Sequence, residues 1–228
     1  MLDWFPHVES PSSDAFLLMA QAYASLEQYA EAVPYVVQAI HVAEEPKEPW
    51  FQLWLGLLSE QRRYEEAAGV LETMIQLFPD RPNYWRNLAS IYQLLEQDWK
   101  ATATLELAYH RGFLEKETEV LNVVTMLRVV EAPLRAATIL GDAIEKGLVT
   151  RDAKHLEALG QAWLEAAELE KALTAYNGAA GLSEEGRDPS EVIRDLIPDL
   201  ASPNGFVLDK IESFAIDAAG NAFIITDN

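Results

Sequence analysis

The chain has 228 residues, half of them hydrophobic, which is too apolar for a disordered polymer and long enough for one sizeable core or a repeat array. Lys and Arg total 17 against 37 Asp and Glu, and the formal charge of −20 repels phosphate backbones and anionic headgroups, so nucleic acid and bare membrane are disfavoured as partners. With no cysteine there is no disulfide, no thiolate zinc site and no cysteine nucleophile.

The chain starts Met1-Leu2-Asp3-Trp4-Phe5-Pro6-His7, with neither a basic leader nor a continuous apolar core, so as written it carries no export signal. No later run approaches the roughly 20 apolar residues of a membrane helix, and direct membrane insertion is not expected.

Sliding the sequence over itself exposes a period of 34 to 36 residues. The first unit sets Ala20 and Tyr23 on one helix and Ala32, Val36 and Ala39 on the next. The second repeats the pattern with Leu55, Leu58, Ala67, Leu71 and Met74, and the third with Ala89, Tyr92, Ala101, Leu105 and Ala108. Val124, Leu127, Ala136, Leu140 and Ala143 carry the fourth; Gly160, Trp163, Ala172, Tyr176 and Ala179 carry the fifth. A small side chain where two helices cross lets their backbones approach, and a larger one a turn later fills the groove beside it. One pair alone leaves its apolar face wet, and stacking buries it. Trp54 and Trp163 fall in the apolar columns and Trp85 lies one turn before Ala89, so these three are expected in the core, while Trp50 and Trp99 stay open.

These columns resemble the tetratricopeptide repeat, with its Trp, Leu, Gly and Tyr in the first helix, Ala and Phe in the second and a closing Pro. Five units over about residues 13 to 182 fit. The departures are that only Gly160 supplies the first-helix glycine, only Pro79 takes the proline position, and Pro133 enters the turn of the fourth unit. The resemblance implies an all-α fold, a right-handed superhelical solenoid of about five helix pairs with the first helices lining a concave face. In that register the inward side chains include Gln52, Asn83, Arg86, Gln93, Thr125, Arg128, Lys154, Glu157 and Gln161. Arg86 and Arg128 are the candidates for a partner carboxylate, because a guanidinium offers a planar fork of donors, while Asn and Gln can bond an extended peptide backbone. The Lys, Asn and Arg cluster of chaperone-binding clamps is missing.

Glu45-Pro46-Lys47-Glu48-Pro49-Trp50-Phe51-Gln52-Leu53, Phe78-Pro79-Asp80-Arg81-Pro82-Asn83-Tyr84-Trp85, Leu105-Glu106-Leu107-Ala108-Tyr109 and Ala179-Ala180-Gly181-Leu182-Ser183-Glu184-Glu185-Gly186 resemble the envelope tetratricopeptide proteins found in Gram-negative bacteria beside TonB, ExbB and ExbD. That resemblance implies a periplasmic scaffold in TonB-linked uptake. Such proteins carry a leader that this sequence lacks, and without one the expected compartment is cytoplasmic.

Beyond Gly186 the period stops, which divides the chain into a repeat domain, residues 13–186, and a tail, residues 187–228. Ile211-Glu212-Ser213-Phe214-Ala215-Ile216 and Ala222-Phe223-Ile224-Ile225-Thr226 flank Gly220-Asn221 and predict a β-hairpin. Residues 192–228 resemble a stretch of the phytase-like, esterase-like β-propeller family, whose acidic motif is matched by Glu212, Asp217 and Asp227. The stretch is far shorter than a propeller, so the alternative it implies is the amino-terminal part of a larger or truncated enzyme.

His7, His41, His110 and His155 make no i, i+4 metal pair, and there is no nucleophile elbow, phosphate loop or dinucleotide fingerprint. The paired carboxylates Glu44-Glu45, Glu65-Glu66 and Glu184-Glu185 lie on polar faces or in turns. No catalytic residue, metal or cofactor is therefore expected. The sequence reads as a scaffold that holds a protein or peptide segment in its groove; a homo-oligomer formed by end-to-end stacking is the third reading. If residues 187–228 are an appendage, deleting them leaves the helical circular-dichroism signal per helical residue and the cooperative melt nearly unchanged, and loss of the melt would show that the tail is an essential cap.

Overall fold

A computed structural model describes residues 11–182, 211–216 and 222–226. The expected ten helices lie in five pairs: α1 (Ser13–Ser25) and α2 (Tyr29–Val42), α3 (Glu48–Glu60) and α4 (Tyr64–Leu77), α5 (Pro82–Leu94) and α6 (Asp98–His110), α7 (Glu117–Val129) and α8 (Pro133–Glu145), α9 (Ala153–Glu165) and α10 (Leu169–Leu182). Every first helix is 13 residues long. Pro82 and Pro133 open α5 and α8 at the first helical position, where the missing N–H has no helical partner to lose. Pro133 therefore starts the second helix of the fourth unit and does not break it.

Three residues join the two helices of each pair, and the middle one is left-handed every time: Glu27, Arg62, Glu96, Glu131 and Ala167, at φ between 54° and 61°. They recur with the same 35, 34, 35 and 36 steps as the alanines. The N–H of the next residue reaches back five positions to close the first helix, from Gln28 to Tyr23 at 3.0 Å, Arg63 to Leu58 at 3.0 Å, Gln97 to Tyr92 at 2.8 Å, Ala132 to Leu127 at 2.8 Å and Glu168 to Trp163 at 2.9 Å. This is the Schellman closure, made here without glycine. Between pairs, Gly112 and Gly147 close α6 and α8 in the same way, through Phe113 N–H to the Ala108 carbonyl and Leu148 N–H to that of Ala143.

The crossings are as tight as the spacing requires. Ala32, Ala67, Ala101 and Ala136 have no exposed surface, and Ala172 is 3 % exposed. Val36, Leu71, Leu105, Leu140 and Tyr176 are buried one turn on, and so are Ala39, Met74, Ala108, Ala143 and Ala179. In the first helices Ala20, Leu58, Ala89, Tyr92, Val124, Leu127 and Gly160 are buried, while Tyr23, Leu55 and Trp163 keep partial exposure. Gly160 is needed for space: a Cβ there would stand 2.8 Å from two ring carbons of Tyr176. Trp85 is buried as expected and donates from Nε1 to the Pro79 carbonyl at 3.3 Å. Trp54 and Trp163, also expected in the core, are only half-buried. An indole is too large to vanish at positions that elsewhere hold a smaller side chain. Trp50 is buried and Trp99 is 65 % exposed.

The chain divides into two compact units, Met1–Leu114 and Glu115–Asn228. In the first, α1 to α6 pack each on the next, around Leu58, Leu71 and Met74. In the second, α7 to α10 do the same around Val120, Val123, Leu127 and Leu140. The second also holds the expected hairpin strands, β1 (Ile211–Ile216) and β2 (Ala222–Thr226), antiparallel, with Phe214 opposite Ile224 and an irregularity at Glu212. The connecting Gly220-Asn221, the boundary expected near residue 187, and Asp217 and Asp227 lie outside the described residues.

Zero clearance at the alanines has a measurable consequence. Ala101→Leu or Ala136→Leu overpacks a crossing and lowers stability by about 1–3 kcal/mol, whereas Ala30→Leu, on an exposed position of α2, changes it by less than about 0.5 kcal/mol. Urea titrations of the three variants decide this, and equal losses would mean that the register of the crossings is wrong.

Candidate functional site

Polar side chains of the first helices are tied to one another across neighbouring repeats. In the first unit Glu48, the opening residue of α3, accepts from Arg81 Nε and Nη2 at 3.1 Å each and from the Tyr84 hydroxyl. The hydrogen bonds from Arg81 and Tyr84 hold the Glu48 carboxyl below the usual carboxylate range, and burial, with Glu48 beside it, pushes Tyr84 up. Gln52, one turn along α3, donates from Nε2 to the Tyr84 hydroxyl at 2.8 Å. Asn83 and Gln93 are exposed on α5. Arg86 donates from Nη2 to the Phe113 carbonyl at 2.7 Å and from Nη1 to Asn83 Oδ1 at 3.4 Å. On another face of α5, Tyr92 is pushed up to about 12 by burial and by its hydrogen bond to Glu72 of α4.

The second unit repeats the device with other residues. Glu117 opens α7 as Glu48 opens α3, and its Oε2 accepts from the backbone N–H and the hydroxyl of Thr150, both at 2.7 Å. Those bonds hold the Glu117 carboxyl below its ordinary value. Asp152 caps α9 by accepting from His155 N–H at 2.8 Å, and the buried His155 ring places Nδ1 2.9 Å from the Thr150 carbonyl. Arg128 grips the carboxylate of Glu165 with Nε, at 2.8 Å, and with Nη2. Burial pushes Glu165 up, but the hydrogen bonds from Arg128 and Gln161 outweigh it and leave the carboxyl below the usual range. Gln161 in turn accepts from the Tyr176 hydroxyl at 3.2 Å. Thr125, Lys154 and Glu157 are exposed, and the Thr125 hydroxyl donates to the Leu121 carbonyl at 2.9 Å.

Neither arginine singled out from the sequence is an open fork. Arg128 already holds a carboxylate of its own chain, and Arg86 holds a backbone carbonyl, so an incoming carboxylate must displace an internal acceptor. The register could not foresee this, because Glu165 is 37 residues from Arg128 and becomes its neighbour only when α7 and α9 lie side by side.

A second feature went unread in the sequence. A cavity of about 730 Å³ opens between α8 and α10 over α9, walled by Ile144, Leu156, Leu159 and Trp163. Its origin is Gly141, which stands on α8 where Glu72 stands on α4, 69 residues earlier. In the first unit Glu72 meets the Tyr92 hydroxyl; in the second the equivalent pair is Gly141 and Trp163, and the missing side chain leaves room. Successive α9 residues turn by 100°, so Lys154, Glu157, Gln161 and Glu165 occupy one side of that helix and Leu156, Leu159 and Trp163 the other. The polar face and the cavity are thus on opposite sides of α9.

Residues 17–82, spanning α2 to α4 with parts of their neighbours, match the tetratricopeptide repeat family. No curated protein matches the chain. Among solved structures the chain is similar to MamA from strain AMB-1, at 15 % identity over 79 % of this chain and 96 % of that one, with a TM-score of 0.46. It is similar to residues 41 to the end of MamA from Desulfovibrio magneticus RS-1, at 14 % identity over 79 % and 99 % with a TM-score of 0.43. It is also similar to YrrB, described as a tetratricopeptide protein with an unusual peptide-binding site, at 14 % identity over 81 % and 93 % with a TM-score of 0.44.

The Glu117 contact carries a pH signature. A carboxyl whose folded pKa lies below its ordinary 4.5 contributes stability that is present above that value and is lost as pH falls through the lowered one. Glu117→Gln removes this titration, so the melting temperature of the variant falls less than that of the wild type between about pH 5 and about pH 3. Thermal melts by circular dichroism across that window read the difference; parallel declines would show that Thr150 does not hold the ionised carboxylate.

Proposed function

We propose that this chain is a tetratricopeptide-type scaffold that binds a protein or peptide segment along the exposed polar faces of its first helices. The observation that carries the proposal is the division of labour within every described pair. The repeating apolar columns are consumed in packing, while Gln52, Asn83, Arg86 and Gln93 in one unit, and Thr125, Arg128, Lys154 and Gln161 in the other, stay on partly or fully exposed surface. Gln52 and Arg128 are pre-positioned by hydrogen bonds to a neighbouring first helix and Gln161 by one to Glu165 of its own helix, which lowers the entropy lost when a ligand immobilises them. The family match over residues 17–82 supports the same reading, since proteins of that family act as interaction scaffolds. The formal charge of −20 favours a basic partner. We extend the proposal to an envelope setting, in TonB-linked transport, on the resemblance of the segments around Pro46, Pro79, Leu107 and Gly181 alone.

A photo-cross-linking amino acid separates this surface from the rest of the molecule. Placed at Thr125, on the first helix α7, it yields a defined adduct with the partner in cells, whereas the same group at Thr138, exposed on the second helix α8, does not. Fractionating the cells beforehand reads the compartment. Adducts from Thr138 alone, or from both positions alike, would remove the partner from the first-helix face.

A further inference from the structure

The cavity of the second unit lies on the opposite side of α9 from the surface just described and asks for a ligand of its own. Its wall is apolar, with Ile144 from α8 and Leu156, Leu159 and Trp163 from α9. Lys171 of α10 sits over the Trp163 ring with Nζ 4.5 Å from the centroid and is ion-paired to Glu168 at 3.1 Å. The mouth carries Glu145, Arg151 and Glu170, whose side chains have no hydrogen-bond or ion-pair partner among the described residues. Arg151 extends along α10, where its Nη2 comes within 3.9 Å of the place a Gly178 Cβ would take. Two helix glycines therefore frame the space: Gly141 by leaving it open from α8, and Gly178 by letting the guanidinium lie close to α10.

We propose that this cavity takes the bulky apolar side chain of an extended peptide with basic flanks. Apolar walls and a volume of about 730 Å³ suit one aromatic or branched side chain with its neighbouring main chain, within the range of roughly 300–1,000 Å³ typical of ligand pockets. A rim of one free guanidinium and two free carboxylates matches what peptide main chain offers there: carbonyls that accept from Arg151 and N–H groups that donate to Glu145 and Glu170. The charge of −20 selects lysine or arginine flanks over acidic ones. The site is independent of the first-helix surface, so either can fail without the other.

The test uses the full chain and two probes, acetyl-Lys-Gly-Phe-Gly-Lys-amide and the same peptide with Ala for Phe, titrated by calorimetry and by amide chemical-shift mapping. The Phe peptide binds saturably, at least about ten-fold more tightly than the Ala peptide, and moves the amides of Gly141, Ile144, Leu159 and Trp163. Gly141→Leu is the blocking variant. A Cβ at Gly141 meets only Leu159 Cδ1, at an ordinary 3.7 Å, and replacing a mid-helix glycine favours the helix, so the melt is retained or raised while peptide affinity falls at least about ten-fold. Thr73→Ala, at an exposed position of α4 in the first unit, leaves the affinity within about two-fold. Equal affinity for the two peptides, unchanged binding by Gly141→Leu, loss of binding in Thr73→Ala, shifts confined to the first-helix face, or no saturable binding would each overturn the proposal.

Discussion

A chain that leaves one helix and begins the next within three residues has little room for error, and in this protein it turns the same way five times. Glu27, Arg62, Glu96, Glu131 and Ala167 adopt a left-handed backbone that costs a residue with a Cβ about 1–2 kcal/mol. The cost is tolerated because the turn caps the first helix through its closing hydrogen bond and fixes where the second helix must run. With the angle fixed, the side chains at the crossing have no freedom to move apart. Only alanine fits at the point of closest approach, and everything else, from the buried turn beyond it to the polar faces left outside, follows from the pair being closed in that way.

Much of this was legible in the sequence. Alanines stepping by 35, 34, 35 and 36 residues located every crossing, and each column falls inside the helix to which it was assigned. The left-handed turns were not legible. That conformation is normally announced by glycine, and here charged residues take it four times out of five because the helix closure enforces it. The tryptophans were only partly legible, since a column says which way a side chain points and not whether the opposite wall is filled. Trp163 keeps partial exposure because its neighbour across the groove is Gly141, a fact visible only when α8 and α9 are set side by side.

The candidate site shows the same limit in another form. The register of the tetratricopeptide resemblance named first-helix residues that stay exposed or half-buried, Arg128 and Arg86 among them, but ion pairing is a property of two helices and not of one. Glu48 reaches Arg81 over 33 residues and Arg128 reaches Glu165 over 37, intervals close to one repeat. Contacts one repeat apart tie neighbouring first helices through polar groups, while alanine and leucine pack each helix on the next in its unit. Within each unit these charge-assisted hydrogen bonds, of modest individual strength, add order to the polar surface that packing leaves outside.

The meeting of Gly160 and Tyr176 constrains how such a unit can change over time. A methyl group added at Gly160 would collide with the tyrosine ring at 2.8 Å, while shrinking Tyr176 to the leucine of the three preceding units would leave a void above the glycine. Each single step from this arrangement toward the one used by the other repeats is therefore unfavourable, although the two together restore a well-filled crossing. The last pair is separated from its siblings by a valley in sequence space, and its divergence, once made, is hard to reverse one residue at a time.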